Sequence, residues 1–169
     1  MSELTVRRYD AADAEAVWTL HERALRDAGG YDEAFAHRDT DLRDVTEAYL
    51  DAGGEFLVGT RAGDIVAMGA FQPHDTDDAA VVLRRVRVAP AHQRADYGTR
   101  ILNELEARAR KRDFQRAELD TTPAQTAAMA FYEHHGYERI GREYVEAAET
   151  TLLFYRRSRP SASGSYGNL

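Results

Sequence analysis

Residues 86–98 read VRVAPAHQRADYG, and the amphipathic run TRILNELEARARKR follows directly in residues 99–112. Apolar residues alternate up to Pro90, which predicts a strand, and a polar loop then leads into a helix expected to begin near Gly98. The first turn of a helix carries backbone N–H groups that have no partner inside the helix, and the helix dipole adds positive potential there. This stretch therefore predicts a site where backbone groups bind an anion such as a phosphate.

A second motif lies in residues 122–137, which read TPAQTAAMAFYEHHGY. The pattern predicts a helix that carries Phe131 and Tyr132 and ends at Gly136. Helical spacing places Ala124, Ala127, Ala128 and Phe131 on one face.

The rest of the chain alternates between strand and helix patterns. Strands are predicted near residues 4–8, 56–60, 65–71, 80–89, 117–120, 137–144 and 150–156. Two further helices are predicted. One is capped by Asp10 or Asp13 and ends at Gly29-Gly30, and the other is capped by Thr40 or Asp41 and ends at Gly53-Gly54. The order β α α β β β α β α β β contains both hairpins and helical crossovers. It predicts an α+β (α/β-type) domain whose mixed central sheet is flanked by helices.

Length and composition limit the function classes. The 169 residues favour a single domain, expected over residues 1–157, followed by a flexible Ser- and Gly-rich tail in residues 158–169. The absence of cysteine excludes disulfides, thiolate metal sites and a cysteine nucleophile. A net charge of −7 disfavours general nucleic-acid binding and slightly favours cationic acceptors. No apolar run approaches the roughly 20 residues of a membrane span, so we expect no membrane partner and a cytoplasmic location.

No metal site is predicted. His134 and His135 are adjacent on a helix and point about 100° apart, and the other histidines lack ligand spacing. A second cluster, Arg84, Arg85 and Arg87, lies on the predicted strand before Pro90. Alternation places Arg85 and Arg87 on one face and Arg84 on the other. We expect these arginines to pair with acidic residues or with phosphates rather than with nucleic acid.

The two motifs together resemble those of the GCN5-related N-acetyltransferases, the GNAT family. Val88-x-Pro90, Gln93 and Gly98 match the first motif, although Asp96 stands where its first glycine is usual. The second motif matches except that Gln125 replaces an asparagine. The element order agrees from residue 4 to about residue 157, so the resemblance implies the three-layer GNAT-like fold.

The resemblance implies an N-acetyltransferase that uses acetyl-CoA as co-substrate and acylates a primary amine directly. Residues 94–99 would hold the pyrophosphate, and the pantetheine arm would lie along residues 86–88, as an added strand. The implied catalytic groups are the Tyr132 hydroxyl, as general acid to the leaving thiolate, and the Val88 backbone N–H, as donor to the thioester oxygen. The implied cofactor-binding residues are Val86, Arg87, Val88, Gln93, Arg94, Ala95, Asp96, Tyr97, Gly98, Thr99, Gln125, Ala128, Phe131 and Tyr132.

Several points stay open on the sequence. Asp96 is expected to adopt the left-handed backbone conformation that aspartate tolerates, but its carboxylate would repel a pyrophosphate. The proton acceptor is Asp120, Glu33 or a water. The amine belongs to a small molecule, a polyamine, a peptide or a protein, and a homodimer is an open option.

The main alternative function is a non-catalytic acyl-CoA-binding or regulatory module on the same fold. A nucleotide-binding domain is disfavoured, because the phosphate-binding signatures GxxxxGK[ST] and GxGxxG are absent.

Overall fold

Seven strands form one mixed sheet in the computed structural model, which describes residues 3–27, 40–93 and 95–158. The strands are β1 (Thr5–Arg8), β2 (Glu55–Arg61), β3 (Asp64–Pro73), β4 (Ala80–Val88), β5 (Arg116–Thr121), β6 (Glu138–Val145) and β7 (Thr150–Ser158). The α-helices are α1 (Ala14–Asp27), α2 (Tyr97–Lys111) and α3 (Thr126–His134). The order across the sheet is β1-β2-β3-β4-β5-β7-β6, and β4 with β5 is its parallel pair. The predicted mixed sheet with flanking helices is confirmed.

Helices cover both faces of the sheet. Ile101, Leu102 and Leu105 of α2 are fully buried and pack with residues of α3, including Tyr132, over one face. Val17 and Leu20 of α1 pack over the other face. The α1 pattern thus matches the prediction of an amphipathic helix with one stripe turned to the core.

The second predicted helix differs from a regular α-helix. It consists of a 3₁₀ turn at residues 40–43 and a π-helix over Thr46–Leu50, in which Asp51 N–H donates to Thr46 C=O at 2.7 Å. The wide turn buries Tyr49 completely, and the Tyr49 hydroxyl donates to the Asp41 carboxylate. Residues 28–39 lie outside the described residues. At the other end of the chain, Ser158 belongs to β7, and the rest of the predicted tail is not described.

An extra residue interrupts the pairing of β4 with β3. Met68 pairs with Arg87 and Ala70 with Arg84, so two residues of β4 face Gly69 of β3. Arg85 has a φ of 61°, as expected of a β-bulge. Because Met68 and Ala70 both face the core on the α1 side, Arg84 and Arg87 lie on that same face. The prediction that Arg84 faces away from Arg87 was therefore wrong, since the bulge resets the alternation.

The parallel pairing of β4 with β5 is short. It joins Ala80, Val81 and Val82 to Arg116, Ala117 and Glu118, and goes no further. Beyond Val82 the two strands diverge, while β4 stays paired to β3 as far as Val88. One edge of the second half of β4 is therefore left open in the middle of the sheet.

Gly69 should be essential for packing at the bulge. A Cβ there would lie 2.5 Å from Ile101 Cγ2 and 3.0 Å from Leu105 Cδ1 of the buried α2 face. We expect Gly69→Ala to lower the free energy of unfolding by about 1–3 kcal/mol, because the core must shift to admit the methyl group. Urea denaturation measures this value.

Gly141→Ala on β6 is the matched control, because a Cβ at Gly141 meets nothing within 4 Å. Its unfolding free energy should stay within about 0.5 kcal/mol of the parent chain. Equal effects of the two substitutions would contradict the packing argument.

Candidate active site

A cavity of about 200 Å³ opens where β4 and β5 diverge. Residues 83–87 form one wall, residues 119–122 form the opposite wall, and Gln125, Ala128 and Tyr132 of the α3 region close it. The two sequence motifs, which are separated along the chain, therefore meet at one site.

A second cavity, of about 260 Å³, continues from the first along β4. Both are lined by Val86, Arg87, Gln125 and Ala128, and the second extends to Val88 and Gln93. Together they form a channel that runs along the open edge of β4, from the divergence toward the start of α2.

The open edge presents backbone groups to this channel. Ala89 N–H donates to Val66 C=O of β3 at 2.8 Å, and Val88 is opposite Ala67. In an antiparallel pair, alternate residues direct their N–H and C=O to opposite sides, so the Val88 groups point away from β3. Gln93 Nε2 donates to Val88 C=O at 3.3 Å, which leaves the Val88 N–H directed into the channel.

The turn before α2 adopts the predicted left-handed conformation. Asp96 is the N-cap residue, with φ 63° and ψ 19°, and its exposed side chain makes no capping hydrogen bond. A Cβ on Gly98 would lie 3.4 Å from the Phe131 ring and 3.6 Å from Val88 Cγ2. The protein alone would thus accept a methyl group at Gly98, so any need for glycine there comes from a ligand that approaches the backbone.

The other predicted residues of this turn are in different surroundings. The Tyr97 side chain is buried in the core, so only its backbone N–H can reach a ligand. Thr99 Oγ1 lies 3.1 Å from His135 Nε2, which connects the first turn of α2 to the end of α3. Ala95 is exposed, and Arg94 lies outside the described residues.

Tyr132 closes the cavity from the α3 side. Its ring packs edge-on against Phe131 at 5.1 Å and Tyr137 at 5.5 Å between centroids. Its hydroxyl makes no hydrogen bond to any residue that the structure describes. Burial raises the pKa of Tyr132, and the nearby positive charge of Arg87 partly offsets this. The phenol therefore holds its proton at neutral pH and has a cation near it.

Charged side chains line the α1 side of the cavity. Arg85 Nε and Nη2 donate to the two oxygens of the Asp41 carboxylate at 3.0 and 2.6 Å, which confirms the expected pairing of that arginine with an acidic residue. Asp120 lies on the opposite wall, and its side chain opens into the cavity. The protein atoms around the cavity nevertheless desolvate this carboxylate. Desolvation raises the pKa of Asp120, and the charges of Arg84 and Arg85 reduce this effect.

Sequence reasoning placed β4, α3 and Asp120 at the site but missed Asp41. The signal for Asp41 was only a capping residue of a predicted helix. Glu33, the other candidate for the proton acceptor, lies outside the described residues.

Among the described residues, no cluster of three or more histidine and carboxylate side chains could hold a metal ion. No described helix has the length and apolar character that a membrane span requires.

Comparison with known proteins agrees with this geometry. The family model described as Acetyltransferase (GNAT) family matches residues 14–137. The chain is 28% identical over 122 residues to a Xenopus tropicalis protein named probable N-acetyltransferase camello. The aligned region covers 69% of this chain and 56% of that protein. The chain spans about half the length of the curated relatives that it first matches.

Solved structures share the fold at low sequence identity. A GNAT-family acetyltransferase from Staphylococcus aureus Mu50 superposes with a TM-score of 0.79 at 17% identity, over 92% of this chain and 99% of that one. The yncA protein of Salmonella typhimurium, solved with its cofactor acetyl-CoA, superposes with a TM-score of 0.72 at 20% identity, over 95% and 96%. With the family model matched over most of its length, this chain belongs to the GNAT acetyltransferase family.

Proposed function

We propose that this chain is an N-acetyltransferase that transfers an acetyl group from acetyl-CoA directly to a primary amine. The observation that carries the proposal is the pair of adjoining cavities along the open edge of β4. One is lined by ionisable side chains, and the other reaches Val88, which lies beside Gly98 at the start of α2. Membership of the GNAT family and the named N-acetyltransferases among its relatives support the same activity.

The residues of the channel fit the parts of acetyl-CoA. Backbone N–H groups of residues 97–99 lack partners inside α2 and would hold the pyrophosphate, while Gly98 lets it approach closely. The amide edge of residues 86–88 would pair with the pantetheine arm, beside Ala128 and Phe131. Acetyl-CoA would supply an acetyl group activated as a thioester.

Three groups of the protein would then assist the transfer. The Val88 N–H would stabilise the negative charge that develops on the thioester oxygen. Asp120 would take a proton from the amine as its nitrogen bonds to the acetyl carbon. The Tyr132 hydroxyl would give a proton to the sulfur as the carbon–sulfur bond breaks, and Arg87 would stabilise the resulting phenolate.

Calorimetric titration of the purified protein with acetyl-CoA is the first test. Micromolar binding together with acetylation of an amine supports the proposal. Binding without turnover on a broad amine panel would instead favour a non-catalytic acyl-CoA-binding module. No binding at low or high salt would overturn both functions and identify the motif as vestigial.

The Asp96 carboxylate should weaken acetyl-CoA binding. It is exposed at the N-terminus of α2, where it would repel a pyrophosphate, and a glycine would adopt the same left-handed backbone more readily. We expect Asp96→Gly to tighten the Kd for acetyl-CoA by up to about tenfold, equivalent to about 1.4 kcal/mol. Calorimetry at low salt measures the change.

Asp113→Gly is the control for this substitution. Asp113 also has a positive φ, of 69°, but follows the C-terminus of α2, about 22 Å from its start. An unchanged Kd in Asp96→Gly would show that the aspartate does not disturb the site.

Tyr132→Phe should lower kcat much more than it weakens acetyl-CoA binding. The ring and its packing are retained, while the proton donor is lost, so we expect a fall in kcat of about a hundredfold or more. Steady-state kinetics and calorimetry separate the two effects. Tyr144→Phe on the exposed face of β6 is the control, and unchanged turnover in Tyr132→Phe would exclude the general-acid role.

Asp120→Asn should change the pH profile of the reaction. Because desolvation raises the pKa of Asp120 above its ordinary value of 3.8, activity that needs the ionised carboxylate is lost as the pH falls through that raised value. The variant should have a lower kcat and should lack this acidic limb. The exposed loop variant Asp75→Asn should keep the parental profile, and an acidic limb retained in Asp120→Asn would assign the proton acceptor to another group.

A further inference from the structure

Two opposite charges face each other across the divergence of β4 and β5 without pairing. The parallel register, in which Ala80 pairs with Arg116 and Val82 with Glu118, places Arg84 level with Asp120. Both side chains line the cavity, and both are exposed. Neither makes a hydrogen bond or an ion pair with any residue described in the structure.

Both charges also lie on one face of the sheet. Arg84 is opposite Ala70, which is buried on the α1 side. On β5, Ala117 and Leu119 face the core on the α2 side. Because successive side chains of a strand point to opposite faces, Asp120 faces the α1 side. Arg84 and Asp120 therefore place a cation and an anion on the side opposite Tyr132, separated by the gap between the strands. Arg87 and Arg85, which binds Asp41, also line the cavity.

Arg84 is too far from the start of α2 to serve a pyrophosphate there. Val88 is four residue steps further along β4, a distance of roughly 12 Å. Arg85 next to it is already matched by Asp41. Arg84 is therefore placed to bind an anionic group of the acceptor in the cavity.

We infer that the acceptor is a small molecule that carries a carboxylate close to its amine, such as an α-amino acid, an inference that rests on the proposed acetyl transfer. The planar Arg84 guanidinium binds the carboxylate, because it can donate two parallel hydrogen bonds to it. Asp120 binds the ammonium group, which loses one proton to solvent before it attacks, and Asp120 accepts the second proton as the nitrogen bonds to the acetyl carbon. A polyamine or a lysine side chain would bring only positive charge toward Arg84 and Arg85, which repel it.

The test compares acceptors that differ only in the carboxylate. Wild-type protein with acetyl-CoA is assayed on L-amino acids, on the matching amines that lack the carboxylate, on spermidine and on a lysine-containing peptide. We expect kcat/KM to be at least about tenfold higher for amino acids than for their decarboxylated partners. Equal or better turnover of amines without a carboxylate would overturn the inference while leaving the acetyl transfer intact.

Variants at Arg84 test the residue itself. Arg84→Gln should raise KM for the amino acid about ten- to a hundredfold and remove the preference over the decarboxylated amine, with little change in KM for acetyl-CoA. Arg84→Lys should retain part of the preference, and Arg142→Gln on the exposed face of β6 should retain all of it. An unchanged preference in Arg84→Gln would overturn the assignment.

Calorimetry separates failure of this inference from failure of the proposed function. If acetyl-CoA binds but none of the carboxylate-bearing amines is acetylated, the inferred acceptor class is wrong. If acetyl-CoA itself does not bind, the acetyl transfer on which the inference rests fails first.

Discussion

The divergence of β4 from β5 is the constraint on which the site depends. A strand in the middle of a sheet normally has both edges paired, yet the second half of β4 keeps only its pairing with β3. The bulge at Arg85 accompanies this change, since the extra residue shifts the alternation of backbone groups along β4. Without the divergence there would be no cavity, no open amide at Val88 and no channel between the two motifs.

The α2 and α3 helices fix the open edge in place. Gly98 at the start of α2 lies beside both Phe131 of α3 and Val88 of β4, since a Cβ there would be 3.4 and 3.6 Å from them. The turn before α2, the second motif and the open strand therefore meet at one point. Gly69, opposite the bulge, lets Ile101 of α2 pack directly against the sheet at this point. A shift of any of these elements would move the N–H donors relative to the channel. Gly69, where a methyl group would clash with α2, therefore helps to hold them in place.

Much of the fold could be predicted because its elements follow simple periodicities. The strand before Pro90, the helix after Asp96 and the left-handed turn between them were all expected from local residue patterns. The bulge could not be predicted, because residue 85 is an arginine, and arginine is not a residue type that indicates a positive φ. For the same reason the sequence placed Arg84 on the wrong face. The π-helix depends on the long-range contact of Tyr49 with Asp41, which no local pattern contains.

Local charge and net charge lead to different expectations for the acceptor. The net charge of −7 attracts cations from a distance, but at physiological salt such attraction is screened beyond about 8 Å. Inside the cavity, the arginines that the bulge brings to one face would decide which groups of the inferred acceptor can bind. Asp41 matches Arg85, and Arg84 with Asp120 would complement a molecule that carries both charges. If the inferred acceptor site holds, a single inserted residue in β4 places arginines where they would select against polycations, although the chain as a whole is acidic.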